Sequence, residues 1–517
     1  MASKGFWRRA LEDPAWIAVV DPDGTEHTAG EMLARANQLT HALRARGLKE
    51  GDGIASLLPN GAAPVEIYLA ALQAGWYLTP INWHFTAPEA AYIATDCGAK
   101  AFFVHERYAQ LGVDTADAAG VPADARFSFG DVRGFTHVDE LRKGHPDTLP
   151  VDRTAGTTMH YTSGTTGRPK GVRRQLTGLD PDDAAALLGA GLLGIFGITE
   201  GQPNAHLVSS PNYHTAVTTF GGAALQIGHT LVCMDGFDAE TALAFTERYK
   251  CTNSHMVPTH FKRMLSLPDD VKSRYDLSSM RWLIHAAAPC PVGIKQAMLD
   301  WWGPCVWEYY AATEGGGTIA SPQDWVTHPG TVGVPWPTSE ILIADENGAS
   351  LPTGAPGTIY MKMGFVEFEY YGDKAKTEAN RLDNYFTVGD IGYLDQDGYL
   401  FLCDRKADMI ISGGANIYPA EIEAEIIMNP KVADVAVFGI PDEEWGEQIK
   451  AVVQPAAGVE PGDELTADIL AALQGKLAKM KWPKSIDFLP ELPRDPNGKL
   501  LKRRLRDPYW AGRATAI

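Results

Sequence analysis

The chain has six cysteines in 517 residues, and no two of them form a Cys-x-x-Cys. Cys97, Cys233, Cys251, Cys290, Cys305 and Cys403 are scattered without paired spacing. That excludes a disulfide scaffold and a cysteine-type zinc site. Long hydrophobic runs are also missing. The longest, 184–198, is too short and too glycine-rich for a membrane span, and Asp182 and Asp183 flank it. Positive charge is scarce: 45 Lys and Arg against 64 Asp and Glu leave a formal charge of −19. A protein that coats nucleic acid needs a basic footprint, so no nucleic-acid partner is expected. One nucleotide in a local pocket is still allowed. The opening segment carries Arg8, Arg9 and Asp13 where a secretory signal would be apolar. No fixed-period repeat and no low-complexity tract occurs. The expectation is a soluble, reducing, cytoplasmic enzyme.

What is present fits a folded enzyme of several units. Hydrophobic residues make up 45% and charged residues 21%, and domains run to roughly 100–200 residues each. Met32, Ala36, Leu39 and Leu43 recur at helical spacing. The short apolar runs 54–58, 76–81 and 101–104 read as buried strands, with a helix over 64–74 between the first two. This rhythm predicts an α/β fold whose parallel-type sheets are covered by helices. The stretch 354–399 has short strands with turn residues and reads as a small β-rich subdomain. Helices over 419–428 and 465–477, with strands over 432–440 and 449–454, predict a small α+β C-terminal domain.

One string is chemically pointed. Tyr161-Thr162-Ser163-Gly164-Thr165-Thr166-Gly167-Arg168-Pro169-Lys170-Gly171 follows an apolar strand. Its glycines let backbone N–H groups turn inward, and its hydroxyls add donors, which makes a phosphate cradle. It is not a G-x-x-x-x-G-K-[ST] loop, because Gly164 and Gly167 are too close and Pro169 breaks the required helix start.

This string resembles the phosphate loop of the adenylate-forming enzymes, which include acyl-CoA synthetases, peptide-synthetase adenylation domains and firefly luciferases. Five further segments resemble that family in its own order. Pro211-Asn212-Tyr213-His214 is similar to the aromatic gate, and Tyr309-Tyr310-Ala311-Ala312-Thr313-Glu314 to the Tyr-Gly-x-Thr-Glu motif. Phe386-Thr387-Val388-Gly389-Asp390 is similar to the Thr-Gly-Asp motif. The segment 404–419 resembles the interdomain linker, and 493–499 the C-terminal lysine loop. The resemblance implies a large N-terminal domain over 1–403, a hinge over 404–408 and a mobile C-terminal lid over 409–517. It implies an acyl-CoA ligase that uses ATP, Mg²⁺ and CoA on a small carboxylic acid or its acyl-adenylate.

By that resemblance, Thr162, Ser163, Gly164, Thr165, Thr166, Gly167 and Lys170 would hold the β- and γ-phosphates. Glu314 would hold Mg²⁺, and Thr313 would touch the α-phosphate. Tyr310 would stack on adenine beside Ala287, Asp390 would accept the ribose hydroxyls, and Arg405 would support ribose and phosphate. Lys499 would bridge the carboxylate and the α-phosphate, and His214 would act at the gate. Gly413 and Gly414 would line the pantetheine channel, with Trp445 a further contact for CoA. Ala407 would be the hinge. The acid pocket is expected from Tyr213, Phe220, His255, Phe261, His285 and Gly315 to Gly317, which favours a bulky cyclic acid or a fatty acid.

Three positions depart from the family pattern: Ala311 stands for the usual glycine, Ala287 lies in an Ala-Ala-Ala-Pro run, and Ala407 stands for the usual Asp or Lys at the pivot. Ala311 adds a methyl near the nucleotide, where packing is tight. An alternative is therefore that adenylation is impaired and the protein acts mainly on a supplied acyl-adenylate. Rival functions are a carrier-protein or amine-loading adenylation enzyme, a luciferase-like oxygenase and a non-catalytic binding module. A homodimer is compatible with all of them.

Overall fold

The computed structural model describes residues 4–162, 169–312, 315–363, 369–370, 378, 380–494 and 500–511. The first sheet has six strands, all parallel. Its centre is β1 (Gly53–Leu57), followed by α1 (Ala62–Gln73) and β2 (Tyr77–Pro80). β1 is buried at every position, as a central parallel strand requires. A short antiparallel pair follows, β3 (His160–Thr162) and β4 (Lys170–Arg173), with Lys170 opposite Thr162.

The second sheet has nine strands. It is built from β5 (Ala205–Val208), α2 (Thr215–Gln226), β6 (Thr230–Cys233), β7 (Asn253–Met256), α3 (Pro258–Leu265), β8 (Trp282–His285), α4 (Val292–Trp302), β9 (Val306–Ala311) and β10 (Gly317–Ala320). The strands from β9 to Ile17–Val20 run parallel, and the edges turn antiparallel at β10 and Glu26–Thr28. Helices α1 and α2 lie between the two sheets, so Ile54 and Leu78 of one share a core with Val208 and Ile284 of the other. Strand alternation sorts the second sheet's side chains. Val208, Ile284, Trp307 and Tyr309 face α2, while Leu207, Leu283 and Val306 pack with α3 and α4 in a separate core.

The expected β-rich subdomain is present. Its six-stranded sheet includes β11 (Asp390–Leu394) and β12 (Leu400–Arg405). The C-terminal unit is a five-stranded sheet carrying α5 (Pro419–Ile426) on its own core. It contains the hairpin β13 (Ile410–Ser412) and β14 (Ala415–Ile417), then the long pair β15 (Val432–Asp442) and β16 (Gly446–Pro455). The Lys262 ammonium of α3 donates to the carbonyls of Ile427 and Val432, at 3.0 and 2.7 Å, and so ties the end of α5 to the large unit. Partial burial there pulls this lysine down to about 8. Among the described residues, no helix is long and apolar enough to cross a membrane.

Candidate active site

The nucleotide end of the site is assembled from three distant stretches. Tyr310 sits near the end of β9, Asp390 begins β11, and Arg405 ends β12. The Tyr310 hydroxyl donates to the Asp390 carboxylate at 2.7 Å. Asp390 and Arg405 are antiparallel partners, and the Arg405 Nε lies 3.5 Å from the Asp390 carboxylate. A ring, a carboxylate and a guanidinium are thus held within hydrogen-bond reach, as a base and its ribose require. Ala311, the added methyl, pairs with Gly317 across the β9–β10 hairpin. A Cβ on Gly317 would come within 3.0 Å of it. The missing side chain at Gly317 leaves room for the Ala311 methyl as well as for the Tyr310 carbonyl, 2.2 Å from where that Cβ would lie.

Ala287 is exposed and holds φ at +74°. An L-residue there stores roughly 1–2 kcal/mol, so the chain retains a strained turn beside the predicted adenine position. Lys170 flanks the phosphate string through its pairing with Thr162. The predicted residues Ser163, Gly164, Thr165, Thr166 and Gly167 lie outside the described residues, as do Thr313, Glu314 and Lys499; so does the side chain of Thr162.

The gate segment is fixed from the first sheet. Asn60 accepts from the Asn212 N–H at 2.8 Å and donates to the carbonyls of Ser210 and Met234, each at 2.9 Å. Tyr213 is buried with its ring edge-on to Trp83 at 4.6 Å, and His214 lies 4.5 Å from Tyr213 at the N-cap of α2. Asn60 and Trp83 were missed in the sequence. Only their position after the ends of β1 and β2, where a parallel sheet presents its ligands, could have flagged them.

The predicted acid pocket divides. Phe220 of α2 packs on His255 of β7 with centroids 5.0 Å apart and the rings tilted by 30°, and Tyr309 lies 5.5 Å from Phe220. The His255 Nε2 meets the Tyr309 hydroxyl at 3.1 Å. Burial holds this imidazole neutral, with its pKa pushed down to about 3. Gly315 and Gly316 hold φ at +123° and +73°, and the Gly317 N–H donates to Ser339 at 2.9 Å. His285 and Phe261 are corrections. Both are wholly buried on the α3–α4 side of the sheet, with their rings edge to face at 5.0 Å. His285 follows Ile284, which faces α2, so strand alternation turns it away from Phe220 and His255. There it lies 3.5 Å from Glu308, which makes a 2.6 Å ion pair with Lys295.

In the C-terminal unit, Gly413 and Gly414 are the two turn residues between β13 and β14, with φ of +56° and +78°. Both angles are positive, as a two-residue hairpin of this twist demands. A Cβ on Gly413 would come 2.5 Å from the Trp445 ring, which is 51% exposed. Trp445 thus covers one glycine and leaves the other bare. Ala407 is exposed between β12 and β13, and its carbonyl accepts from Arg506 at 3.3 Å.

Comparison with known proteins is decisive for the family. Residues 6–371 match the model of the AMP-binding enzyme, and residues 421–499 match that of the AMP-binding enzyme C-terminal domain. The chain belongs to the AMP-binding, adenylate-forming enzyme family. It is 34% identical to a feruloyl-CoA synthase of an Amycolatopsis species over 97% of this chain and 98% of that one. It is 31% identical to the fatty acid–[acyl-carrier-protein] ligase ScoC of Streptomyces coeruleorubidus, over 98% and 96% of the two chains. Among solved structures it superposes on the anthranilate CoA ligase AuaEII in complex with anthranoyl-AMP, with a TM-score of 0.85, 25% identity and 98% of both chains covered. The chain is an AMP-forming acid–thiol ligase.

Proposed function

We propose that this ligase activates a compact cyclic carboxylic acid and transfers it to CoA in two steps. The observation that carries the reading is the Tyr310–Asp390–Arg405 constellation beside the aromatic wall of Phe220 and Tyr309. In the first step a carboxylate oxygen attacks the α-phosphorus of ATP, the bond to the bridging oxygen breaks, and pyrophosphate leaves. The acyl-adenylate remains. Anionic oxygens must approach one another, so cations and donors aimed at the developing charge lower the barrier. Lys499 and Thr313 are assigned to that position, and Lys170 and the hydroxyls of 162–166 to the leaving pyrophosphate. Glu314 would hold Mg²⁺, which supplies further charge neutralisation. Asp390 and Tyr310 orient the ribose and base, which turns a collision into a positioned reaction.

In the second step the CoA thiolate attacks the acyl carbon, the bond from that carbon to the phosphate oxygen breaks, and AMP leaves. A thiol with pKa near ~8.5 already offers some thiolate at neutral pH. The bare Gly414 lets the pantetheine arm pass close to the backbone, and Trp445, seated over Gly413, gives it an apolar side. Residues 404–408, with Ala407 exposed among them, are the proposed hinge between the two steps. The aromatic cluster of Phe196, Phe220, Trp307 and Tyr309 fills the space above β7 to β9, which supports a ring over a long chain. The placement of the Ala311 methyl against Gly317 supports both half-reactions running in this chain.

The test is incubation with ATP, Mg²⁺, CoA and a panel of ring and straight-chain acids, followed by mass measurement of CoA thioesters and pyrophosphate. A ring-acid thioester with equimolar pyrophosphate is expected. Pyrophosphate release without thioester, relieved by a carrier protein or an amine, would replace CoA as the acceptor. Thioester formed only from a supplied adenylate would leave the second step alone.

A further inference from the structure

A buried ion pair lies behind the nucleotide end of the site, and it belongs to none of the chemistry described so far. Lys295 of α4 and Glu308 of β9 meet at 2.6 Å, with Lys295 wholly buried and Glu308 only 5% exposed. The Lys295 ammonium also lies 5.0 Å from the centre of the buried Trp325 ring. On β8, His285 is the register partner of Glu308, and its Nε2 is 3.5 Å from the same carboxylate oxygen that Lys295 holds. Burial pulls the lysine down and pushes the carboxyl up, and each charge opposes the shift of the other.

The pair closes a loop. Residues 286–291 connect β8 to α4 and carry Ala287, with Ala287, Ala288 and Pro289 exposed. The loop leaves β8 at His285, which pairs with Glu308 across the sheet. It enters α4 through Pro291 as N-cap, and Lys295 stands in the first turn of that helix. Both ends of the loop therefore meet at Glu308. Strand alternation also puts Tyr310, two residues on, on the same face of β9 as Glu308. Trp307 and Tyr309 face the other way, into the aromatic wall with Phe220.

Stability alone does not account for the pair. Two charges taken out of water recover little more than their desolvation, and apolar side chains of similar volume often serve a core as well. Lys295 is moreover in the first turn of a helix, where the dipole opposes a cation. What an ion pair adds is a fixed distance and direction between the groups that make it. The loop needs that. A left-handed residue other than glycine persists only where its surroundings over-determine it. Ala287, with φ at +74°, is such a residue, and it lies between the two points that converge on Glu308.

We propose that Glu308, through its ion pair with Lys295, is a positioning residue for adenine, holding loop 286–291 and Tyr310 at the spacing a purine ring requires. It touches no substrate itself. Its effect falls on every ligand that carries adenosine, so ATP and AMP are weakened together when the pair is lost. The acid is spared, because its aromatic wall stands on the opposite face of β9. This inference rests on the placement of adenine beside Ala287 and Tyr310 in the ligase reading.

The experiment uses the full chain. Calorimetry gives Kd for AMP, and steady-state kinetics give kcat and KM with ATP and the best acid of the panel varied in turn. The double variant Lys295→Met/Glu308→Leu removes both charges and leaves neither orphaned. Its Kd for AMP and KM for ATP should rise together, by roughly tenfold, while KM for the acid stays within about twofold. Glu308→Asp keeps the charge but draws it back by one methylene, and it should give a smaller rise in the same two constants. If the double variant does not fold, Glu308→Asp decides alone. Tyr310→Ala is the control for the placement of the base. If it leaves AMP binding unchanged, the placement fails and this inference with it. If it weakens AMP while the charge variants leave AMP and ATP within twofold, the placement stands and the positioning role is overturned. An equal rise in KM for the acid and for ATP would also overturn it, since the pair would then serve the fold at large. If no acid is turned over, the AMP constants decide.

Discussion

The paired glycines of α2 allow a sharp test, because each substitution to alanine adds the same methyl to the same helix. Both gain the helix preference of alanine over glycine, about 0.8–1.0 kcal/mol. They differ only in what the methyl meets. At Gly221 it finds His206 and Val208 carbons at 3.9 Å, which is favourable contact. At Gly222 it finds the Tyr68 Oη at 2.4 Å and Cζ at 2.7 Å, in a side chain buried between the sheets. Overpacking of that kind costs about 1–3 kcal/mol. The helix term cancels in the comparison, so the difference between the variants measures the overpacking alone. A cooperative unit of roughly 400 residues unfolds with an entropy of about 0.8 kcal/mol/K, so Gly221→Ala should raise Tm by about 1 °C. Gly222→Ala should then lie about 1–4 °C below Gly221→Ala. Paired thermal melts by circular dichroism at one scan rate provide the assay. Equal melting temperatures, or Gly221→Ala falling below wild type, would refute the difference in what the two methyls meet.

Three other outcomes follow from the site and its surroundings. Tyr310→Phe removes the 2.7 Å bond to the Asp390 carboxylate, so kcat/KM for ATP should fall roughly tenfold while KM for the acid stays within about twofold; steady-state kinetics with each substrate varied checks this. Ala287→Gly relieves the +74° φ and should raise Tm slightly, whereas glycine in ordinary backbone lowers it; a loss of stability would contradict the strain. His206 and His229 are held neutral down to about 4, and His255 and His260 down to about 3, all by burial. The unfolded chain binds the protons that the folded chain refuses, so the stability from these groups is complete above pH 6.5. Each then loses up to about 1.4 kcal/mol per pH unit as pH falls from 6.5 toward 4, which denaturant midpoints across that range would show.

The fold class was legible because parallel strands buried on both faces leave unbroken apolar runs. The run 54–58 became β1 at 53–57, and the helix and strand after it fell where the glycine and proline breaks put them. The C-terminal helices were drawn too long at their ends: the expected 465–477 is observed as Asp463–Ala472, followed by turns. Periodicity continues past the last hydrogen-bonded turn whenever the next apolar residue also packs inward, as Leu473 and Leu477 do. What no local pattern contained was the layering. Helices α1 and α2 become a shared interior only once two sheets close over them, and Gly222 against Tyr68 is the contact that sets their approach.

The two ends of the site were unequally legible for a chemical reason. ATP is the same ligand throughout the family, so its carboxylate, ring and cation positions are held at fixed places in recognisable strings, and Tyr310, Asp390 and Arg405 do converge. The acid end is written in side chains that matter by the face they occupy. His255 and His285 look equivalent in sequence, each close to the end of a buried strand, yet one lies under Phe220 and the other beside Lys295 and Glu308. His206 carried no motif at all. It is held in a buried hydrogen-bond chain through Asn253 and His229 to a backbone carbonyl, residues 24 to 47 positions apart in sequence. Such a chain is costly to bury, and a packed apolar core would serve stability as well.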